Sequence, residues 1–270
     1  MKLIKQLFNF YINSSIHVAL AVFSLTWITL LELGLEYNEP VLYFVFYASI
    51  TGYNFVKYFG IAKFHHRQLA NWLKCIQLLS VICFLLMCYY GLLLKAETLV
   101  CIGVFAVLTL LYAIPLLSKQ SLRHIGGLKI YIIGLVWVGV TVFIPVINES
   151  YGISTDVMII GLQRFIFVLV LMLPFEIRDL KYDSLTLATI PQKMGVNRTR
   201  YLGLLLLMLF VLLEFFKDEL TVQRILILVF MSAITGLFLY FSKINQRKYY
   251  SSFWVEGLPI LWLVLLLLMP

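Results

Sequence analysis

The stretch FEIRDLKYDSLTLATIPQKMG, residues 175–195, sets three carboxylates, Glu176, Asp179 and Asp183, at the end of the apolar run FIFVLVLMLP, 165–174. Acidic groups at the mouth of an apolar run are costly in a membrane unless they are wetted, paired or metal-bound. Whether the run is a membrane span therefore decides how the stretch is read, and composition answers that. Of the 270 residues 62% are hydrophobic and 13% charged, with a mean hydropathy of +0.97. Soluble domains carry about 45–50% apolar and about 25% charged residues. The chain reads as a multi-pass integral membrane protein.

Working outward, runs of about 20 apolar residues long enough to span a bilayer as helices lie at 16–35, 41–60, 75–94, 97–117, 129–147, 157–177, 201–216, 222–242 and 252–270. That predicts an all-α bundle of nine transmembrane helices. A membrane β-barrel would need alternating segments of about ten residues, whereas LGLLLLMLFVLL, 202–213, is apolar on every face. Lys and Arg mark the cytoplasmic loops. The N-terminus and every second loop after it hold seventeen of them, at 2, 5, 57, 63, 67, 74, 119, 123, 129, 178, 181, 193, 198, 200, 243, 247 and 248. The opposite loops hold Lys95, Lys217 and Arg224, and Arg164 falls inside a span. The N-terminus is thus expected in the cytoplasm, in a plasma or inner membrane. The net charge of +8 follows from the same bias and does not argue for a nucleic-acid partner.

Residues 1–15 place Leu3, Ile4, Leu7, Phe8 and Tyr11 on one helical face, as expected of an interfacial helix leading into the first span. A signal peptide is the rival reading, against which stand the length of the apolar run and the lack of a small-x-small site after it. Cys75, Cys83, Cys88 and Cys101 form no CxxC or His–Cys pattern and read as small apolar residues. With no repeat or soluble appendage visible, residues 1–270 are expected to form one domain.

Residues 176, 179 and 183 are spaced three and four apart, which puts their carboxylates on one helical face. Two Asp at i and i+4 can hold Mg²⁺ while the ion keeps several waters and takes phosphate oxygens from a substrate. The competing reading is a solvated helix end with Asp179 and Asp183 paired to nearby Arg and Lys.

The sequence R-D-x-x-x-D followed by T-I-P-x-x-x-G (Thr189, Ile190, Pro191, Gly195) resembles the second aspartate motif of the UbiA-type intramembrane prenyltransferases. Tyr112-Ala-Ile-Pro115 followed by Lys119, Arg123 and Lys129 resembles that family's fourth-helix segment, whose basic residues lie near an isoprenoid diphosphate. The resemblance implies a nine-helix bundle around a central cavity, with two Asp-rich motifs facing each other across a cytoplasmic mouth. It also implies Mg²⁺ on an isoprenoid diphosphate, and transfer of the prenyl group to a lipophilic, usually aromatic, acceptor. On that basis Asp179 and Asp183 are the candidate catalytic and metal-binding residues, joined by Glu176 as a metal ligand. Asn54, Lys57, Arg67, Tyr112, Lys119, Arg123, Lys129, Arg178 and Lys181 are the candidate substrate-binding residues.

The first motif departs from the family's N-D-x-x-D-x-x-x-D pattern. Asn54 is present, but Phe55, Tyr58 and Ala62 stand at the aspartate positions, and no Asp precedes residue 156. Lys57 falls inside the altered segment. There it either supplies a fixed positive charge to a phosphate or snorkels to the headgroups. Glu256, inside the last span, needs a cavity or a partner, for which Arg164 or water would serve. The adjacent His65 and His66 point apart and do not form a joint metal site. Three functions stay open: a prenyltransferase with a rearranged first site, a relative that binds a lipid or isoprenoid without transfer, and a transport or assembly protein dependent on Glu256 and Arg164.

Overall fold

A computed structural model describes residues 2–64, 71–114, 127–183 and 187–269, and among these every regular element is helical. The order is α1 (Lys2–Asn13), α2 (Ile16–Glu32), α3 (Glu39–Phe64), α4 (Asn71–Gly91), α5 (Ala96–Ala113), α6 (Lys129–Val138), α7 (Ile144–Asn148), α8 (Thr155–Asp179), α9 (Ile190–Met194), α10 (Val196–Leu212), α11 (Val222–Phe241) and α12 (Leu258–Leu268). Each apolar run expected from the sequence coincides with one of these helices or with the continuous rod Lys129–Asn148. Among the described residues seven helices are long and apolar enough to cross a membrane, or eight when the bent pair α1–α2 counts as one span. The nine-helix expectation also counts α3, which has the length, 26 residues, but carries Tyr43, Tyr47, Tyr53, Asn54 and Lys57.

The bundle turns around α2 and α8. α2 packs on α3, α12 and the α6–α7 joint, and α8 packs on α6, α10 and α11. Phe167, Phe210 and Trp262 meet at its centre, with ring centroids 5.2–5.8 Å apart. Lipid tails are as apolar as Leu, so such helices gain from close packing rather than from escape from water. Gly203 shows how close the approach is: a Cβ there would fall 2.2 Å from the Leu239 side chain, which ties α10 to α11. α4 and α5 turn Leu78, Leu85, Val100 and Val104 outward, a lipid-facing surface.

Two widened turns precede prolines. A π-turn, Gly139–Phe143, leads into Pro145, and another, Tyr250–Val255, leads toward Pro259. Proline lacks an N–H and crowds the carbonyl four residues back. A local π-turn absorbs that misfit within a membrane helix. The second π-turn delivers Glu256.

At the other end of the chain α1 meets α2 at 53°, through Ser15 in a left-handed conformation (φ 64°). His17 fixes this corner. Its Nε2 lies 2.9 Å from the Phe253 carbonyl, which can only accept, so Nε2 carries the proton and Nδ1 accepts from the Tyr11 hydroxyl at 2.8 Å. One imidazole thereby joins α1, α2 and the turn before Glu256.

Candidate functional site

α8 ends at Asp179, so the three carboxylates do not ride one continuous helical face as their spacing predicts. The chain leaves through a turn in which the backbone N–H groups of Tyr182 and Asp183 both bond the Asp179 carbonyl at 2.8 Å. At the start of α9 the Gln192 amide bonds the backbone on two sides. Thr189 N–H donates to Gln192 Oε1 at 3.0 Å, and Gln192 Nε2 reaches the Asp183 carbonyl at 3.3 Å. Gly195 (φ 83°) separates α9 from α10, a backbone conformation that glycine adopts without strain. The loop is pinned to the start of α6 by Gly127 N–H on the Leu187 carbonyl at 2.8 Å.

This frame sorts the acidic groups. Asp179 is occupied: Arg178 Nε and Nη2 hold its two oxygens at 2.7 and 3.1 Å. For this residue the ion-pairing alternative holds. Glu176 is buried, accepts the Ile190 N–H, and keeps Oε2 without a hydrogen-bond partner among the described residues. Asp183 Oδ2 is also buried without a hydrogen bond among the described residues, and Lys129 Nζ stands 3.9 Å from it. Burying unpaired acceptors costs about 1–3 kcal/mol each, and such atoms call for an ion, a water or a ligand. Lys181 turns away to Asn245 Oδ1 at 3.4 Å and lies over the Tyr182 ring.

The α3 side is of a different kind. Asn54 accepts from Ser15 Oγ at 2.8 Å and donates to the Ser14 carbonyl at 3.0 Å and to Ser80 Oγ at 2.9 Å. Its amide clasps the α1–α2 corner to α3 and α4. The substrate-binding role expected for Asn54 thus meets a side chain already committed to the fold. Lys57 Nζ and the Tyr58 hydroxyl both donate to the Asn13 carbonyl, at 3.1 and 2.8 Å. Lys57 stays accessible, with its Nζ at the end of α1. One turn earlier, Tyr53 accepts a 2.7 Å bond from Trp137 Nε1 and neighbours the buried Tyr112.

Glu256 is not paired with Arg164, the partner expected from sequence. Arg164 is 1% exposed, donates to Thr29 Oγ1 at 3.2 Å and lies over the Trp262 ring. Glu256 makes no salt bridge among the described residues.

A magnesium ion fits this arrangement on one side only. Glu176 and Asp183 supply hard oxygens of the right type, each with an atom left unbonded. α3 offers an amide already in use, a lysine and aromatic rings, none of them an anionic oxygen ligand. Among the described residues no three His, Cys, Asp or Glu side chains converge as a metal site. Arg67, Lys119 and Arg123, with His65 and His66, lie outside the described residues. Sequence reading did not single out Gln192 or Tyr53. The T-x-x-Q spacing of a capping box announces the first, and the i, i+4 relation to Lys57 the second.

No protein-family model and no curated protein matches the chain. Solved structures do, along nearly its whole length, and the fold is that of UbiA homologues. An apo UbiA homologue from Aeropyrum pernix K1 aligns over 94% of this chain and 98% of its own, with a TM-score of 0.66 and 13% identity. A structure described as digeranylgeranylglyceryl phosphate synthase in membranes aligns over 98% of this chain and 96% of its own, with a TM-score of 0.57 and 16% identity.

Proposed function

We propose that the protein is a UbiA-type prenyltransferase relative. In this reading it seats an isoprenoid diphosphate at its basic, cytoplasmic end and passes the prenyl group to a lipophilic, aromatic acceptor. The observation that carries this is the pair of unbonded, buried carboxylate oxygens on Glu176 and Asp183 beside Lys129, held in a pinned loop within this fold. One magnesium ion on those oxygens would supply charge to the departing diphosphate. Lys129 and Arg178 add fixed positive charge at the same mouth, where partial burial strengthens it. The bond from the prenyl carbon to the diphosphate oxygen breaks, a bond to the acceptor forms, and the acceptor loses a proton. Tyr53, bonded to Trp137, and the buried Tyr112 are aromatic groups of the interior that would favour a passing allylic cation.

Binding without transfer is the second reading, favoured by the loss of every carboxylate from the first motif. Both are tested with protein in lipid nanodiscs, geranylgeranyl diphosphate and a panel of phenolic and quinol acceptors. Pyrophosphate release and prenylated product are followed by mass spectrometry. The transfer reading expects both, reduced ~10²-fold or more by Glu176→Gln or Asp183→Asn. Saturable binding with no release supports the second reading, and neither binding nor release sinks both.

A further inference from the structure

We propose that Arg164 seats a second ligand, the carboxylate head of an apolar acid of the long-chain fatty acid class, in the half of the bundle away from Asp179. This goes beyond the function proposed above and does not rest on it. Arg164 lies on α8, about 14 Å along the axis from Thr155 and about 22 Å from Asp179. Its guanidinium is buried and held from two directions. Nη2 donates to Thr29 Oγ1 of α2 at 3.2 Å, and the Trp262 ring of α12 lies 5.3 Å from Cζ. Thr29 is itself fixed, since its hydroxyl donates to the Leu25 carbonyl at 3.2 Å. Nε and Nη1 are buried with no hydrogen-bond partner among the described residues. The group is therefore immobilised with donors left over.

Its charge is not offset either. No salt bridge reaches Arg164 among the described residues. Glu214, a buried acid of the same half, is already engaged: Lys217 Nζ stands 2.7 Å from its Oε2 and Gln163 Nε2 donates to that oxygen at 3.0 Å. Arginine cannot shed its proton, and a buried cation without a counter-charge is expensive inside a membrane. The free donors and the uncompensated charge ask for the same thing, an anion with oxygen acceptors. A carboxylate is both, and its planar pair of oxygens suits a guanidinium edge.

Position narrows the ligand further. An acceptor for prenyl transfer reacts beside the diphosphate, about 22 Å away along α8, so Arg164 does not hold that acceptor's reacting atom. A phosphodiester would have to enter the hydrocarbon fully ionised, which is costly. A carboxylic acid enters neutral. It then ionises beside the guanidinium, which favours the charged form, and gives up its proton to water at the membrane face. The alkyl remainder suits the apolar surroundings, where Trp262 meets Phe167 and Phe210.

The test is native mass spectrometry and thermal melting of purified, delipidated full-length protein with three probes. These are palmitate, methyl palmitate, which keeps the tail without the charge, and dipalmitoylphosphatidylglycerol, which offers a phosphate instead. Palmitate is expected to bind saturably and to raise the melting midpoint, with the methyl ester at least about tenfold weaker. Arg164→Met is expected to fold and to weaken palmitate binding by about 10–100-fold, the loss of a charge-assisted contact, while Arg164→Lys recovers part of it. Palmitate that binds no better than its methyl ester overturns the inference on wild type alone, whatever the variants do. So does an Arg164→Met protein that folds and binds palmitate as wild type does. Binding of the phosphatidylglycerol in preference to palmitate overturns the carboxylate assignment.

Discussion

Asn54→Ala distinguishes a clasp from a ligand at the one position where the first motif survives. In the structure the amide makes three hydrogen bonds, at 2.8, 3.0 and 2.9 Å, and the side chain is 3% exposed. Interhelical hydrogen bonds inside membranes contribute about 0.6 kcal/mol on average. Truncation also strands the Ser14 carbonyl and the Ser15 hydroxyl in residues that are 0% and 4% exposed, and each stranded group costs about 1–3 kcal/mol unless water reaches it. A loss of roughly 2–4 kcal/mol is expected. Asn54→Asp should do at least as much harm, because it replaces two N–H donors by acceptors facing a carbonyl. The assay is reversible unfolding in mixed micelles with a Ser80→Ala cycle, in which coupling of about 0.5–1 kcal/mol is expected between residues that share a bond. Were Asn54→Ala to fold with wild-type stability yet lose prenyl diphosphate binding, Asn54 would be a ligand residue and the clasp reasoning would be wrong.

Arg164→Met should leave stability unchanged or raise it by about 1–4 kcal/mol, since Nε and Nη1 are buried without hydrogen-bond partners among the described residues and a close-packed apolar side chain avoids their desolvation; thermal midpoints in detergent decide this, and a collapse of the fold would refute it. Gly203→Val should destabilise by about 1–3 kcal/mol through collision with Leu239, and Leu239→Ala should recover part of the loss in the double variant, read by the same melts. Gln192→Ala should leave global stability within about 0.5–1.5 kcal/mol of wild type while speeding amide hydrogen exchange across 187–195, since it removes the bonds from Thr189 and to Asp183.

The helices were legible because a bilayer imposes one rule on every span: each needs a long apolar run. That is why each run expected from the sequence coincides with a helix. The local frame of the second motif was legible for a similar reason, since Thr189, Gln192 and Gly195 act within their own turn. What could not be read was pairing across the bundle. The 3–4 spacing of Glu176, Asp179 and Asp183 predicts a shared face but is blind to Arg178, which takes Asp179 from the neighbouring position. Asn54 matches the family pattern in letter, yet its bonds go to Ser14, Ser15 and Ser80, residues separated from it by 26 to 40 positions. Glu256 could be flagged as costly in a span, but its neighbours follow from where a π-turn aims it, and no periodicity records that.

The missing carboxylates of α3 and the acid of the last span, two anomalies in the sequence, resolve differently. Lys57 stands among the missing carboxylates but stays accessible, with its Nζ on the Asn13 carbonyl at the end of α1, so its charge is not carried in the bundle interior. Glu256 lies in the last span, where a carboxylate without a partner is expensive, and it makes no salt bridge among the described residues. The cationic side of the second motif, Lys129 beside Asp183 and Arg178 on Asp179, sits at the end of an apolar bundle. A ligand suited to that end carries negative charge at one end and an apolar remainder at the other. A phosphorylated isoprenoid has that form, whether its prenyl group is afterwards transferred or only held.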